Sequence, residues 1–367
     1  MKGLVLTHVG MEDLSASEIT SLIDATGIEI AQGRVCFEVQ SYESLARLCY
    51  YGRTFAKVIL VLGEFEAEEM PLPENMPDVK EFLRERVVVN CDRSGDHDFT
   101  SFDVQKEWNA HLQEKYGMTI DFKNPQTTLH LLIDEKTCLF GVDFSGIDLG
   151  RREYRVFLGT DALKGNIAAA LLMLAGYMPK HVLLDPFCRH GIVPIEAALM
   201  ATNMSPHSFS KEKLACASLP NVTCDFKDEP QEFEGRIIAM DDNFKHVSAS
   251  KKNAKIAAVN KAITFTRTDM EWLDAKYGKS FVDRIVTLPV QPSRTTSDKK
   301  IEKAYHEFFY QAEFILKKSG KVCVCMKRGV ELLKAKAEEF NFVLKDERTI
   351  WQGKEELTVL VFAKNTQ

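Results

Sequence analysis

The chain has 367 residues, 45% hydrophobic and 27% charged, with 20 Gly and 12 Pro. That composition excludes collagenous, mucin-like and wholly disordered chains, and the length predicts two or three domains with sizeable cores. Lys+Arg 47 against Asp+Glu 53 leaves a net charge of −6, so any basic surface for a nucleic acid must be local.

Residues 1–65 alternate strand and helix signals. A strand at 4–6 precedes a helix over 11–25, in which Leu14, Ile19, Leu22 and Ile23 share a face. Strands at 28–30 and 35–39 form a hairpin around Gln32-Gly33, followed by a helix at 41–51 and a strand at 56–62. The order βαββαβ is a ferredoxin-like unit. Pro71, Pro73 and Pro77 then punctuate a linker.

The segment 66–165 reads as a second small α+β domain. A helix is predicted at 78–85 with Asp78 as its cap, a strand at 87–91, and a helix at 102–116 entered through Thr100 or Ser101. Strands at 127–134 and 137–144 turn at Glu135-Lys136. The segment ends in a basic stretch, Arg151, Arg152 and Arg155, with Tyr154 interleaved and Lys164 nearby. Phosphate contacts from such groups position RNA without reading its sequence, and Arg93 and Lys123 are candidates to extend the patch.

From 166 to 367 the pattern is a long apolar helix and then alternating strands and helices. Strands are expected at 181–184, 236–240, 263–266, 284–287 and 320–326, with a closing pair at 343–349 and 357–363. Such alternation gives a Rossmann-like, mostly parallel sheet that binds its ligand beyond the carboxyl ends of the strands. Three of those ends carry acids: Asp185 before a glycine-containing turn, Asp241, and Asp269. One such acid could be a helix cap; three at successive strand ends point to a cleft that accepts hydrogen bonds from a nucleotide-like ligand.

The run DPFCRHGIVPIEAALMATNMSP resembles the first motif of THUMP-domain class I S-adenosylmethionine-dependent methyltransferases that modify guanine N2 in tRNA or rRNA. There the run is usually Asp-Pro-Phe-Cys-Gly-Ser-Gly-Thr, followed by Pro-Ile-Glu-Ala-Ala. DRSGDHDFTSFDVQKEWNAHL, KNPQTTLHLLIDEKTCLFGVDFSGIDLGRREYR and ALKGNIAAALLMLAGY resemble the THUMP domain and its exit, so the likeness covers nearly the whole chain. It implies a seven-stranded, mostly parallel catalytic sheet, S-adenosylmethionine as cofactor and structured RNA as partner, tRNA before rRNA. It also implies roles: Asp185 near the methionine amino end, Phe187 and Gly191 shaping the turn, Asp241 on the ribose hydroxyls and Asp269 on the adenine amine.

The departures concern the chemistry. Arg189 and His190 replace the family's glycine and serine, leaving Gly191. Where the family has Asn-Pro-Pro-Tyr or Asn-Pro-Pro-Phe, this chain has Leu288-Pro289-Val290-Gln291. Leu288 offers no side-chain acceptor for a base amine and Gln291 cannot stack like an aromatic ring. The Pro289 carbonyl remains as an acceptor, and Gln291 or Asp283 is a candidate replacement. Two expectations follow: an RNA guanine-N2 methyltransferase, or an RNA-binding or scaffold protein built on a retired one.

The longest apolar run, 167–178, is bracketed by Lys164 and Lys180 and is too short to span a bilayer. Glu12 and Asp13 stand where a signal peptide would continue its apolar region. Nine scattered cysteines without a CxxC predict buried reduced thiols in a cytoplasmic protein. His97, His111 and His130 fit no metal-ligand spacing, so no metal is expected.

Overall fold

A computed structural model describes every residue except Glu68, Thr160, Asp161, Arg294, Thr295, Thr366 and Gln367. The chain forms two compact units: Met1–Thr7, Ser15–Leu149 and Ser210–Lys227 make the first, and His8–Leu14, Gly150–Phe209 and Asp228–Gln367 the second.

The first unit is built on one mixed eight-stranded sheet. Its strands are β1 (Lys2–Leu6), β2 (Thr26–Ala31), β3 (Arg34–Glu38), β4 (Lys57–Glu66), β5 (Arg86–Ser94), β6 (Thr119–Ile120), β7 (Thr127–Asp134) and β8 (Thr137–Asp143). The helices are α1 (Glu12–Leu22), α2 (Tyr42–Tyr51) and α3 (Ser101–Tyr116). The order β2-β3-β1-β4 is the ferredoxin-like βαββαβ arrangement, and the sheet continues through β8-β7-β5-β6. Gln32 and Gly33 close the β2–β3 hairpin, whose register pairs Ala31 with Arg34. Glu135 turns β7 into β8 at a φ of +49°. Thr100 caps α3 in a reciprocal capping box with Asp103. The helix expected over 78–85 is only a single 3₁₀ turn, Lys80–Phe82. Asp78 accepts the Lys80 amide rather than capping a longer helix, and Arg86 already begins β5, so the sequence between leaves room for one turn.

The seam between β4 and β8 joins the two halves of this sheet. Gly141 pairs with Val61 there, and a Cβ at position 141 would sit 2.0 Å from the Leu60 carbonyl oxygen. The strands can approach because this residue has no side chain.

In the second unit α4 (Gly165–Leu174) precedes β9 (Val182–Asp185), α5 (Ile192–Ala201), β10 (Arg236–Asp241), α6 (Phe244–Ile256) and β11 (Ile263–Arg267). Then come α7 (Leu273–Lys276), β12 (Val282–Thr287), α8 (Asp298–Ile315), β13 (Leu316–Met326), α9 (Val330–Glu339), β14 (Phe342–Gln352) and β15 (Glu355–Lys364). The seven strands lie in the order β11-β10-β9-β12-β13-β15-β14, with the first five parallel and the last two antiparallel to their neighbours.

Alternation along each strand feeds a separate core on each face. Leu183, Ile237, Ala239, Cys323 and Cys325 pack with α4 and α5, whereas Leu184, Ile238, Met240, Val322 and Val324 pack with the aromatic side chains of α8. All nine cysteines are free, and only Cys224 is less than buried. No helix among the described residues is long and apolar enough to cross a membrane.

Gly141→Ala should lower the stability of the first unit by about 2 kcal/mol, because the added methyl meets backbone rather than a movable side chain. Denaturant unfolding of the full chain checks this; an unchanged midpoint would show that the seam relaxes freely.

Candidate functional site

The strand order of the second unit reverses between β9 and β12, the chain running outward through β10 and β11 before returning to β12. A crevice opens beyond the carboxyl ends at such a reversal. Asp185 ends β9, Asp241 ends β10, and Asp269 follows β11. Phe187, Asp241 and Asp269 line one cavity of 390 Å³ with Arg189, His190, His246 and Val290.

Asp185 is 3% exposed and accepts hydrogen bonds from the Thr287 hydroxyl at 2.6 Å and the Phe187 amide at 3.3 Å. Thr287 ends β12, so this bond ties the two strands that flank the reversal. Burial pushes the Asp185 carboxyl up to about 7 and the nearby Asp241 adds to the rise, while the Thr287 and Phe187 donors work against it.

Asp241 is buried and holds three donors: the Arg189 amide at 3.0 Å, the Asn243 amide at 3.0 Å and His246 Nδ1 at 2.9 Å. Asp269 accepts the Glu271 amide at 3.3 Å and caps the short turn Met270–Trp272. Capping and lining the cavity coexist here, because a carboxylate can accept several bonds. Gly191 caps α5 with a φ of +80°, and a Cβ there would come within 2.1 Å of Ser250 Oγ. It shapes the turn after β9 through close packing on α6 and does not line the larger cavities described here.

Arg189 departs from glycine in sequence while keeping a glycine-like backbone, at a φ of +46°. Its guanidinium Nη2 donates to the Pro289 carbonyl at 3.2 Å. A second cavity, of 450 Å³, is lined by Arg189, Leu288, Val290, Gln291, Lys327 and Arg328 among others. Arg189 and Val290 border both cavities.

The candidate replacements for the missing acceptor are engaged elsewhere. Gln291 Oε1 accepts the backbone amides of Lys327 at 2.8 Å and Arg328 at 3.2 Å. Asp283, near the start of β12, accepts Lys317 Nζ at 2.9 Å and the Val182 amide at 2.9 Å, at the end of the strand away from the crevice. Tyr305 donates its hydroxyl to the Val290 carbonyl at 2.9 Å, fixing the loop from the α8 side.

The basic stretch divides. Arg152 is 2% exposed, its Nε lying 2.9 Å from Glu196 Oε1, and the buried Tyr154 hydroxyl donates to the same oxygen at 2.8 Å. These two residues are therefore removed from the expected RNA-binding surface: their polar groups saturate a buried carboxylate on α5. Arg151 is exposed, while Arg155 and Lys164 are half-buried, Arg155 reaching the Ala162 carbonyl at 3.4 Å. The Arg-Glu-Tyr network was visible in sequence only as Pro194-Ile195-Glu196-Ala197-Ala198, with nothing to say which cation the acid would meet. Thr287 and His246 were likewise missed, since a hydroxyl or imidazole near a strand end carries no pattern of its own.

The RMKL-like methyltransferase domain profile matches residues 152–354, over half of the chain, and the THUMP domain profile matches residues 70–143. The chain belongs to the RMKL-like methyltransferase family. It is 27% identical over 365 residues to the tRNA (guanine(6)-N2)-methyltransferase of Methanocaldococcus jannaschii, covering 94% of this chain and 95% of that one. It is also 27% identical over 299 residues to the ribosomal RNA large subunit methyltransferase K/L of Vibrio parahaemolyticus, covering 73% of this chain and 41% of that protein. In fold it matches TrmN from Thermus thermophilus with a TM-score of 0.75 at 23% identity, covering 99% of each chain. SMU.472, solved in complex with SAH, matches with a TM-score of 0.79 at 18% identity, covering 100% of this chain and 98% of that one.

Because the Asp185 carboxyl lies above its ordinary value of 3.8, the folded chain takes up a proton that the unfolded chain releases. Its stabilising contribution is fully present below pH 3.8 and is lost as the pH rises through 7. Asp185→Asn should flatten the fall in stability between pH 5 and pH 8, measured by denaturant unfolding on this family member; an unchanged pH profile would remove Asp185 as its source.

Proposed function

We propose that this family member transfers a methyl group from S-adenosylmethionine to the exocyclic N2 of a guanine in structured RNA, with tRNA favoured over rRNA, in the cytoplasm. What carries the reading is the placement of Asp241, Asp269 and Phe187 around one cavity at the strand reversal, beside the buried Asp185. The cavity's 390 Å³ falls within the usual range for small-molecule sites, and its carboxylates match the donors such a cofactor presents. S-adenosylmethionine supplies an activated methyl on a positively charged sulfur.

Asp241 would take the ribose hydroxyls, Asp269 the adenine amine, Phe187 would wall the cleft, and Asp185 would face the methionine amino end. The protein's share of catalysis is then orientation, because a weakly nucleophilic amine must be held in line with the methyl. Acceptors for that amine are scarce: Leu288 has none, Gln291 is bonded to the Lys327 and Arg328 amides, and the Pro289 carbonyl already accepts Arg189. That arrangement favours a second reading, an RNA-binding protein whose cleft takes cofactor without methylating a base. Both readings place RNA on the THUMP-containing unit and give Arg151, Arg155 and Lys164 a share of its phosphates. Nine free thiols suit the cytoplasmic location.

Calorimetry should show S-adenosylmethionine binding that Asp241→Ala weakens by about tenfold or more. A parallel assay of methyl transfer to tRNA separates the readings. Transfer abolished by Asp241→Ala supports the enzyme; cofactor binding without transfer supports the binding protein; and no cofactor binding overturns the cleft assignment.

The arginines should separate by experiment as they do in space. Arg151→Ala with Arg155→Ala should weaken RNA binding across many sequences and shallow its salt dependence by up to roughly one unit of slope for each phosphate no longer neutralised. Arg152→Ala should instead lower stability by about 3 kcal/mol, leaving Glu196 buried and short of a cation. Filter binding over a salt series and thermal unfolding of the same variants check both; a stable Arg152→Ala protein with weakened RNA binding would reverse the assignment.

A further inference from the structure

Arg189 combines three observations that the general fold does not require. Its backbone is left-handed, a conformation that costs a residue with a Cβ roughly 1 kcal/mol or more relative to glycine. Its amide is anchored on Asp241 Oδ2, and its guanidinium is anchored on the Pro289 carbonyl. It also borders both the 390 Å³ and the 450 Å³ cavities. The strained backbone is held from both ends, and the cation is pinned at the passage between two spaces.

The strand order fixes what meets that cation. Asp269 follows β11, Asp241 ends β10 and Phe187 follows β9, so these residues succeed one another along the carboxyl edge toward β12. An adenosine whose amine meets Asp269 and whose ribose meets Asp241 directs its 5′ sulfur toward Phe187 and Arg189. The anions nearby are poor counter-charges. Asp241 is occupied by three donors, and burial keeps the Asp185 carboxyl at about 7. The remaining charged or titratable groups on the cavity wall are Asp242, Asp269, His190 and His246, with Asp242 and Asp269 placed at the β10 and β11 end.

We propose that Arg189 is the specificity-determining residue of this cleft: its pinned guanidinium disfavours a ligand with a positively charged sulfur and favours the neutral thioether of the same skeleton. The resting protein then holds S-adenosylhomocysteine in preference to S-adenosylmethionine, the two differing in charge only at the sulfur. This rests on the cofactor reading above. A unit-charge repulsion in a half-buried cleft corresponds to a preference of roughly tenfold or more. Transfer of a methyl through the passage additionally requires the guanidinium to leave the Pro289 carbonyl, which is also the acceptor a base amine would use.

The test is calorimetric titration of the full chain and of Arg189→Lys, Arg189→Gln and Arg189→Gly with S-adenosylmethionine and with S-adenosylhomocysteine. The parent and Arg189→Lys should bind the thioether about tenfold more tightly than the sulfonium. In Arg189→Gln and Arg189→Gly the ratio should fall toward parity, chiefly through tighter sulfonium binding. Thermal unfolding accompanies each titration; Arg189→Gly suits the backbone at this position and serves if Arg189→Gln folds poorly. A ratio that stays the same in both neutral variants overturns the proposal while leaving the cofactor reading standing. Failure of every protein to bind either ligand overturns both.

Discussion

The 2.6 Å bond from the Thr287 hydroxyl to Asp185 sits at the point on which the second unit's function depends. A parallel sheet must open a crevice where its strand order reverses, and here the residues at the two flanking tips are tied to each other inside it. The bond satisfies a carboxyl that is otherwise out of water, while burial holds its proton affinity far above that of an exposed aspartate. Asp241 lies on the neighbouring strand, near enough to raise Asp185 further, so the two acids differ in role according to their donors.

A second buried network sets what the basic stretch can do. Arg152, Tyr154 and Glu196 share one carboxylate beneath the surface, with His207 3.3 Å from the guanidinium. Replacing one partner strands the others, the costly way to alter a buried ion pair. The stretch therefore performs two physical tasks: alternate residues lock it onto α5, and Arg151 faces solvent. Charge density in a linear sequence cannot separate such tasks.

The substituted motifs form a connected set. The cation at 189 bonds the carbonyl of 289, the side chain of Gln291 binds the amides of 327 and 328, and Tyr305 holds the carbonyl of 290. A loop that lost its acceptor and ring by drift alone would have no need for these cross-links. Together they define a closed arrangement between two cavities, in which the guanidinium takes the place a base amine would need.

Periodicity and turn chemistry were enough to determine much of the fold. Strict alternation marked β7 and β8 around Glu135-Lys136, Thr100 and Asp103 marked the start of α3, and the βα rhythm after residue 166 gave seven strands with acids at three tips. These features are local, set by spacing along the chain. The short turn at Lys80–Phe82 shows the limit, because apolar spacing over eight residues does not distinguish a helix from a buried loop. Tertiary structure alone decided which donors meet each acid. It joined β4 and β8 through a close approach at a glycine, paired Arg152 with Glu196, turned Gln291 away from the crevice and carried Arg189 to Pro289. Each of these pairings joins residues tens of positions apart, and a hydrogen bond between such groups leaves no period in the sequence from which to read it.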